Sequence, residues 1–572
     1  MAKKFNACNE PHQSQFHEQE VEARDYHLQI SNSFASDVDN DAESNRFVAG
    51  AKFFNYQRYG ALRSGGEVSL FSRDYGGLLA AAFASSATFS IVKTCVRPVL
   101  MTHLHTNQRI SDSALEYLLS LPTSFSFFYG LISDTLPIYE YRRKSYMILG
   151  AFLSMFALIG LTILSFVVTM HSSRKHEVSP VLYFYIGLII LAVTGTLISK
   201  VATDAQIIEL SQREPLTKRG LTQINYLLFR EIVEACGIGI SSIMIRYDEV
   251  KMTYEGVISP AWIYAILFFV SMITIQLTFL HNVESPVIQR IKGISVDAND
   301  TTEYNEQVHI LSNRWAPVYA FYRMCQQRAV WQLVTFLMIA MATSRFHFGR
   351  GFDVLKQLAH LRQLSELIGN AFRMLVTLTA MFAWRAWLIN VSWRYTVSMA
   401  ILLCIGLEIL QFMLILYVDS VRNEYFYYTI HSFLGVEDAI LIIFAFIPAT
   451  EIAEYGLEGA TSGLLASFRS IMKTSVGSIC EKISHIEYFA ALSTKTIAQL
   501  CILFWISAII QGAVCFAIPL LPRQKLDAQQ LRVYGGYSHI AFIFLSVCFC
   551  FTFVIATYLN IHSVYGIVHN WY

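Results

Sequence analysis

The sequence predicts an all-α protein that crosses a membrane many times, and two observations support that prediction. Of its 572 residues, 54% are hydrophobic and only 15% are charged, whereas about 25% are charged in an average soluble domain. The apolar residues also fall in long runs, and about 20 such residues are enough to span the hydrocarbon core of a bilayer. A water-soluble chain could not bury so much apolar surface, so we expect the lipid bilayer to surround it.

Charge, cysteines and motifs argue against several other classes of protein. The net charge is +1 and basic runs are short, so we expect no nucleic-acid partner. Most of the ten cysteines fall inside apolar runs, where a cysteine behaves as a small hydrophobe. We find no H-x-x-x-H or G-x-S-x-G constellation on a predicted helix. The sequence therefore predicts neither an enzyme, nor a metal site, nor a redox cofactor.

The N-terminal stretch, residues 1–73, differs from the rest of the chain. Residues 1–45 carry nine acids against three bases and no apolar run. A secretory signal would need an apolar core, and a transit peptide would be basic and poor in acids. We expect a disordered acidic tail in the cytoplasm.

Thirteen apolar stretches follow, which we call segments 1 to 13. The most apolar are segments 3, 6, 9, 12 and 13, and the ends of the weaker ones are less sharply defined by the sequence. In chain order the predicted segments are 76–101, 113–136, 146–170, 180–201, 221–246, 258–281, 329–351, 366–388, 394–418, 428–451, 457–482, 496–521 and 538–562.

The arrangement of the segments predicts the architecture. Six segments lie within residues 74–282, and six more lie within 329–521. A polar central loop, 283–328, joins them, and residues 522–572 add a linker and segment 13. Two six-helix halves joined by a long polar loop are typical of major facilitator transporters. Lys and Arg lean weakly towards loops on the side of the N-terminus, which places that terminus and the central loop in the cytoplasm.

The loop between segments 2 and 3 holds a charged motif in an otherwise apolar region. Gly130 and Asp134 end segment 2, and Arg142 and Arg143 precede segment 3. A glycine lets another helix approach closely, and the carboxylate can pair with a loop base and face a helix N-terminus in the other half. We interpret the motif as a cytoplasmic gate; the alternative is that these charges only set topology.

The motif resembles one particular family. "PTSFSFFYGLISDTLPIYEYRRKSYMILG" (122–150) is similar to the signature of the folate–biopterin transporter family, a branch of the major facilitator superfamily. "SKVATDAQIIELSQREPLTKRGLTQ" (199–223) resembles the fourth helix and following loop of members from water moulds and related protists. "PLLPRQK" (519–525), followed by "YGG" (534–536), fits the same branch. The resemblance covers about residues 68–572 and implies a transporter of folates or pteridines.

Two positions depart from the family pattern. Glu140 stands where the family usually has a glycine, and segment 4 has Lys200 and Asp204 where the family often has two acids. Replacing an acid with a base inside the membrane puts the substrate or the coupling ion in doubt.

Charges inside the segments mark candidate sites, because a charge near the bilayer centre costs about 2.5–3.5 kcal/mol on insertion scales and normally faces the bundle interior. Two basic pairs have no acid within a helical turn, so we expect them to receive an anionic group of the substrate. These are Lys93 and Arg97 on segment 1, and Arg469 and Lys473 on segment 11. The other charges form a predicted network for ion coupling, consisting of Lys200, Asp204, Arg230, Glu234, Glu437 and Asp438.

The sequence thus predicts a secondary active transporter of an anionic folate- or pterin-like solute, working by alternating access, with protons as the candidate coupling ion. Two alternatives stay open. The same fold can carry another small metabolite, such as a nucleoside-like or amino-acid-like solute, or the protein can be a receptor or scaffold that binds without transporting. We expect the plasma membrane by default, because no organelle signal stands out.

Overall fold

A computed structural model describes residues 61–63, 66–102, 112–170, 180–248, 253–284, 316–344, 346–347, 349–361, 363–485 and 497–568. The described parts of Ala61–Glu214 and Lys218–Tyr572 form one compact unit, and Pro215–Thr217 are a short connecting stretch assigned to a second unit. Most of the acidic tail and the central loop, 285–315, lie outside the described residues. Leu70, near the end of the predicted tail, is buried in the main core.

The first six segments form helices close to the predicted ones. Segment 2 consists of two helices, and the other five segments are single helices. Their bounds are Gly76–Thr102 (segment 1), Asp112–Ser124 and Ser126–Thr135 (segment 2), Lys144–Met170 (segment 3), Pro180–Ser211 (segment 4), Leu221–Met244 (segment 5) and Pro260–Leu280 (segment 6).

The later segments are also helical, with more interruptions. Segment 8 ends in a π-helical turn, Trp384–Leu388, and segment 12 ends in two short 3₁₀ turns, Ala513–Phe516 and Ile518–Leu520. The helices are Arg328–Ser344 (segment 7), Gln363–Ala383 (segment 8), Trp393–Tyr417 (segment 9), Glu424–Phe433, Gly435–Phe444 and Ala449–Ile452 (segment 10), Glu458–His485 (segment 11), Ile497–Gly512 (segment 12) and His539–Val568 (segment 13).

Segments 2 and 10 correct the prediction of unbroken helices. Pro122 lies inside the first helix of segment 2, which breaks at Phe125, because a proline cannot donate its backbone hydrogen bond. Segment 10 breaks at Leu434 and again before Pro448. Hydropathy does not record such breaks, because the residues around them stay apolar.

Segment 4 is longer than predicted. Its helix continues to Ser211, so Lys200 and Asp204 lie well inside it and not at its end. The added turns keep an apolar buried face that includes Ile207, Ile208 and Leu210.

Four short elements were not predicted. A two-stranded antiparallel hairpin follows segment 5, with β1 (Ile245–Asp248) paired to β2 (Thr253–Gly256). Three further helices lie in the connections: Ala316–Gln326, Gly349–Leu358 and the linker helix Lys525–Tyr534, which packs beside segments 7 and 10.

Packing inside the two halves follows one repeated pattern. In the first half segment 1 packs on segments 4, 5 and 6, segment 3 packs on 4 and 6, and segment 2 packs on 4. Each of these contacts recurs six segments later: 7 with 10, 11 and 12, 9 with 10 and 12, and 8 with 10. The two halves therefore repeat one packing pattern, as expected of an internal structural repeat.

The halves meet along segments 2 and 11 and along segments 5 and 8. Eight described helical stretches are long and apolar enough to cross a bilayer, and they belong to segments 1, 3, 4, 6, 9, 10, 12 and 13. The four segments that join the halves are not among them. Thirteen crossings therefore stay a prediction.

Segment 13 lies against both halves and is otherwise exposed. Phe549 and Phe553 pack on the aromatic residues around the break at Phe125, and Phe549 also packs on Phe468 of segment 11. Large apolar side chains cover the outer faces of segments 3, 6, 9, 12 and 13, which fits contact with lipid. Examples are Phe156, Phe269, Leu402, Ile509 and Phe551.

The first prediction concerns topology. With thirteen crossings and a cytoplasmic N-terminus, a tag placed after Tyr572, which lies outside the described residues, should bind antibody on intact cells. The matched control is a tag at the N-terminus, which should need permeabilisation. A C-terminal tag that also needs permeabilisation would show that one segment does not cross.

Candidate functional site

A buried ion-pair network joins the loop after segment 2 to segment 11. Arg143 Nη1 lies 2.6 Å from Asp134 Oδ1, and Arg143 Nη2 lies 2.6 Å from Glu458 Oε2, with all three side chains at most 2% exposed. Arg63 also pairs with Glu458, and its Nη1 lies 3.7 Å from Glu209 Oε1. We call Asp134, Arg143, Glu458 and Arg63 the gate cluster, because it links the two halves.

The N-terminus of segment 11 points at the same carboxylate. The backbone N–H groups of Gly459 and Ala460 donate to Asp134 at 3.3 and 2.6 Å. A helix N-terminus carries partial positive charge, so Asp134 is held by the helix dipole and by Arg143 together. Ser133 Oγ accepts a further hydrogen bond from Arg143 at 3.0 Å.

Glu284, just after segment 6, caps segment 3. Its carboxylate accepts hydrogen bonds from the backbone N–H groups of Arg142, Arg143 and Lys144 at 2.7 to 3.2 Å. These donors belong to the first turn of a helix and have no partner within it. The cap fixes the loop at the start of segment 3, while the Arg143 side chain contacts Glu458 of the other half.

Glycines let the two helices touch at this point. A Cβ on Gly130 would overlap the backbone carbonyl of Gly459, and a Cβ on Gly463 would overlap the backbone carbonyl of Ser126. Gly130 is therefore required by the close approach of segments 2 and 11, as small residues are in membrane helix pairs.

A second set of contacts joins the halves on the same side. Gln212, after segment 4, donates to the carbonyls of Thr450 and Ala453 at 2.9 and 3.0 Å. Arg219 Nη1 lies 3.2 Å from Glu451 Oε2, with both side chains 2% exposed. Together with the gate cluster, these contacts close the side of the protein that carries the loop between segments 2 and 3.

The pKa values of charged groups in these loops reflect burial. Burial alone would lower the pKa of Arg143, but Asp134 and Glu458 outweigh it and hold that pKa above its usual value. Burial lowers the pKa of Lys525 in the linker helix to about 8, although Glu451 acts to raise it. Burial also raises the pKa of Glu214, and hydrogen bonds from its neighbours offset only part of that effect.

A second charged group lies deeper, where segments 4 and 5 meet. Arg230 Nη1 lies 3.5 Å from Asp204 Oδ1, and Arg230 Nη2 lies 3.3 Å from Glu231 Oε1. The Tyr226 hydroxyl donates to Asp204 Oδ1 at 2.6 Å. Arg230 therefore pairs with Asp204 across two helices and with Glu231 in its own helix, and Glu234 also interacts with it electrostatically.

Segment 11 brings a base to this group. Lys200 interacts electrostatically with Arg230, Asp204, Glu234 and Arg469, and Glu231 interacts with Arg469. We call these residues the core charge cluster; it contains Lys200, Asp204, Arg230, Glu231, Glu234 and Arg469. Three bases and three acids from both halves therefore meet in one region, and Arg469 has an acid nearby in space although it has none within a helical turn.

The other predicted substrate residues lie apart from one another. Lys93 is exposed on segment 1. On one side of Lys93 around the helix, Ser90 contacts Gly237 of segment 5. On the other side, Val92 and Val96 pack in the core of the first half. Arg97 lies one turn further along that helix, and its side chain is outside the described part. Lys473 is half-buried one turn beyond Arg469.

Glu437 and Asp438 lie elsewhere in the second half. Asp438 Oδ2 is 2.8 Å from Arg373 Nε of segment 8, and Glu437 interacts with Cys404 of segment 9. The predicted ion-coupling network grouped these two acids with charges of segments 4 and 5, whereas the described contacts pair Asp438 with Arg373 of segment 8.

Sequence reasoning left three acids out of the candidate site. These acids are Glu231, Glu284 and Glu458. One signal was available for Glu458. It is an acid at the start of a helix, where the helix dipole favours negative charge, and the glycine directly after it allows a close approach. The partners of Glu231 and Glu284 are distant in sequence and gave no such signal.

Comparison with known proteins places these features in a family. The profile of the BT1 family matches residues 88–529. A search of curated proteins finds no significant match.

Two solved structures are similar in fold. One is the major facilitator superfamily proton:xylose symporter XylE bound to 6-bromo-6-deoxy-D-glucose, with a TM-score of 0.48 and 12% identity over 77% of this chain and 94% of that one. The other is a bacterial homologue of the iron transporter ferroportin, in an outward-facing state with soaked iron, with a TM-score of 0.48 and 11% identity over 77% of this chain and 98% of that one.

The family match begins inside segment 1, and it includes the motif after segment 2, the core charge cluster and segments 2 to 12. It therefore rests on the same regions that form the contacts described above. This chain belongs to the BT1 family of folate–biopterin transporters and is a multi-pass membrane transporter.

Proposed function

We propose that this protein carries an anionic folate- or pteridine-like solute across the membrane by alternating access, with Arg469 receiving an anionic group of the solute. The observation that carries the proposal is the position of Arg469. It is half-buried where segments 4, 5 and 11 of the two halves meet, within range of Glu231 and Lys200. Its planar guanidinium matches a carboxylate in bidentate fashion.

The core charge cluster supports an exchange of partners during binding. Arg469 lies near Glu231, so an entering carboxylate would replace a carboxylate of the protein as the partner of the guanidinium. Lys200 and Lys473 would add positive charge, since an anion entering a low-dielectric region needs compensation. Binding then weakens a contact between the halves, which is what a rocking transporter requires.

The gate cluster supports the other step of the cycle. It closes the side of the loop between segments 2 and 3, and its members come from both halves. Opening that side separates Asp134 and Arg143 from Glu458 and from the first turn of segment 11.

We infer that the plasma membrane is the site of action and that protons drive transport.

One observation favours a second candidate solute. The core charge cluster holds acids as well as bases, and such a balanced site also suits a zwitterion, such as an amino-acid-like solute. The two candidates differ in what they need from Arg469, because a zwitterion would use Glu231 or Glu234 for its ammonium group as well.

The test is uptake of labelled folate and of labelled neutral pterin in transport-deficient cells. We expect Arg469→Gln to reduce folate uptake by about 100-fold, which corresponds to about 3 kcal/mol for a lost charge-assisted contact, and pterin uptake by much less. Arg73→Gln changes an exposed arginine and serves as the matched control.

Other outcomes would decide against the proposal. Equal loss of both solutes would indicate that Arg469 is a structural partner of Glu231, and the double substitution with Glu231→Gln should then recover transport. Competition by amino acids but not by folate would favour the zwitterion. Binding without uptake would favour a receptor.

A further inference from the structure

Segments 8 and 10 hold a third charged group, separate from the gate and core charge clusters. Arg373 of segment 8 contacts two residues of segment 10. Its Nε lies 2.8 Å from Asp438 Oδ2, and its Nη1 lies 3.0 Å from His431 Nε2. We call Arg373, His431 and Asp438 the segment 8–10 triad.

The contact fixes the protonation state of the imidazole. A guanidinium has only donors, so His431 Nε2 must accept the hydrogen bond and carries no proton. A neutral imidazole then has its hydrogen on Nδ1, and this atom is buried without a partner in the described part of the chain. A proton on Nε2 would face the guanidinium, so protonating His431 means displacing Arg373.

The helix of segment 10 is interrupted beside the triad. Segment 10 breaks at Leu434, which leaves His431 and Asp438 on different helices. A Cβ on Gly435 would press on the Arg373 carbonyl, and Thr377 Oγ1 donates to the Gly435 carbonyl at 3.1 Å. A change in the angle at the break would alter how well one arginine can hold both residues of segment 10.

The triad is partly exposed and has other charges around it. Arg373 and Asp438 are 25% and 23% exposed, and His431 is half-buried. The Tyr427 ring stacks on the imidazole at 5.6 Å between centroids. Within the described part of the chain, other titratable groups that interact with members of the triad are Lys356 of the helix after segment 7 and Cys404 and Glu408 of segment 9. Glu437 of segment 10 precedes Asp438 and interacts with Cys404.

We propose that the segment 8–10 triad is the proton-binding site that couples transport to a pH gradient. His431 Nε2 takes the proton, Arg373 is displaced from the imidazole by charge repulsion, and Asp438 keeps Arg373 as its partner. The reverse step, in which Arg373 returns to Nε2, expels the proton. The break at Leu434 turns this exchange into a movement of segment 10. This inference names the coupling site of the function proposed above and rests on it.

The first test separates coupling from solute movement. Purified protein in liposomes is assayed for pterin and folate accumulation driven by a pH gradient, and for equilibrium exchange of the same labelled solutes. We expect His431→Gln to reduce driven accumulation by about tenfold or more while exchange stays within about twofold. His539→Gln changes an exposed histidine at the start of segment 13 and should leave both unchanged.

The second test needs no solute, so it holds even if the proposed solute is wrong. A cysteine replaces Thr450, which is 1% exposed on the closed side, and its labelling rate is measured in detergent from about pH 3.5 to 8, a range that extends below the usual titration of histidine because Arg373 opposes protonation of His431. We expect the rate to depend on pH in the parent and to lose that dependence in His431→Gln.

Three results would overturn the inference. Driven accumulation could survive in His431→Gln, or the pH dependence of labelling could persist in it, and either would exclude His431 as the acceptor. Loss of the pH dependence in Asp438→Asn but not in His431→Gln would assign the proton to the carboxylate instead. If the wild-type protein accumulates neither solute but the labelling result holds, the proposed solute fails and the coupling site stands.

Discussion

Replacing Asp134 with asparagine should leave the protein inserted in the membrane but slow its turnover by about tenfold or more. Removing one partner of a buried ion pair costs about 3–5 kcal/mol, and only the state in which the gate cluster is assembled bears that cost. A loss of this size depopulates the closed state by on the order of 100-fold or more. Every cycle must pass through that state, so transport slows.

The contacts of Asp134 explain why asparagine is a poor substitute. The carboxylate accepts from Gly459 N, Ala460 N and Arg143 together. An amide offers one oxygen as acceptor and turns its NH₂ group towards a donor. Arg143 and Glu458 would remain buried with one charge less, so the defect falls on the junction between the halves.

The measurement is the initial rate of uptake divided by the amount of protein at the cell surface. Lys144→Gln is the matched control, because it removes a loop charge that is outside the gate cluster. If the motif only sets topology, Asp134→Asn should transport at the wild-type rate, and that result would remove the gate from the mechanism.

The sequence predicted the parts of this fold that depend on local composition. Apolar runs located the segments, because a helix facing lipid must be apolar along its length. The motif after segment 2 was also found, since Gly130, Asp134 and Arg143 lie within fourteen residues of each other. Both signals are complete within a short stretch of chain.

Contacts between distant residues were not predictable in the same way. Arg143 and Glu458 are 315 residues apart, and Asn225 of segment 5 meets Arg385 of segment 8 across 160 residues. Arg469 seemed uncompensated because a single helix shows only its own neighbours, whereas the acid near it, Glu231, comes from the other half. Pairing across halves depends on how the halves pack.

Helix breaks are a third kind of structural feature, and hydropathy does not reveal them. The breaks at Phe125 and Leu434 leave mean hydropathy unchanged, yet each lies beside a contact that the proposed mechanism uses. Phe125 begins the helix that carries Asp134, and Leu434 separates His431 from Asp438. Pro122 was a visible signal for the first break, and no proline marks the second.

The largest effect is expected from a single methyl group at the contact between segments 2 and 11. Any Cβ on Gly130 would overlap the carbonyl oxygen and carbon of Gly459. These are backbone atoms, so no side-chain rotation can relieve the overlap, and the helices must separate. The gate cluster lies one turn away and depends on distances of 2.6 Å, so separation would disrupt it as well.

We therefore expect Gly130→Ala to abolish uptake, with a loss of about 100-fold or more, while the protein still reaches the membrane. Overpacking a tight contact costs about 1–3 kcal/mol, and the broken ion pairs add to it in the closed state alone. Gly187→Ala and Gly406→Ala are matched controls, because a Cβ at either position meets nothing within 4 Å; both should transport normally. In Gly130→Ala a cysteine at Ser133, which is 1% exposed, should react rapidly with a thiol reagent from the cytoplasmic side. Normal uptake by Gly130→Ala, or a Ser133 position that stays protected in it, would show that the two segments are not pressed together during the transport cycle.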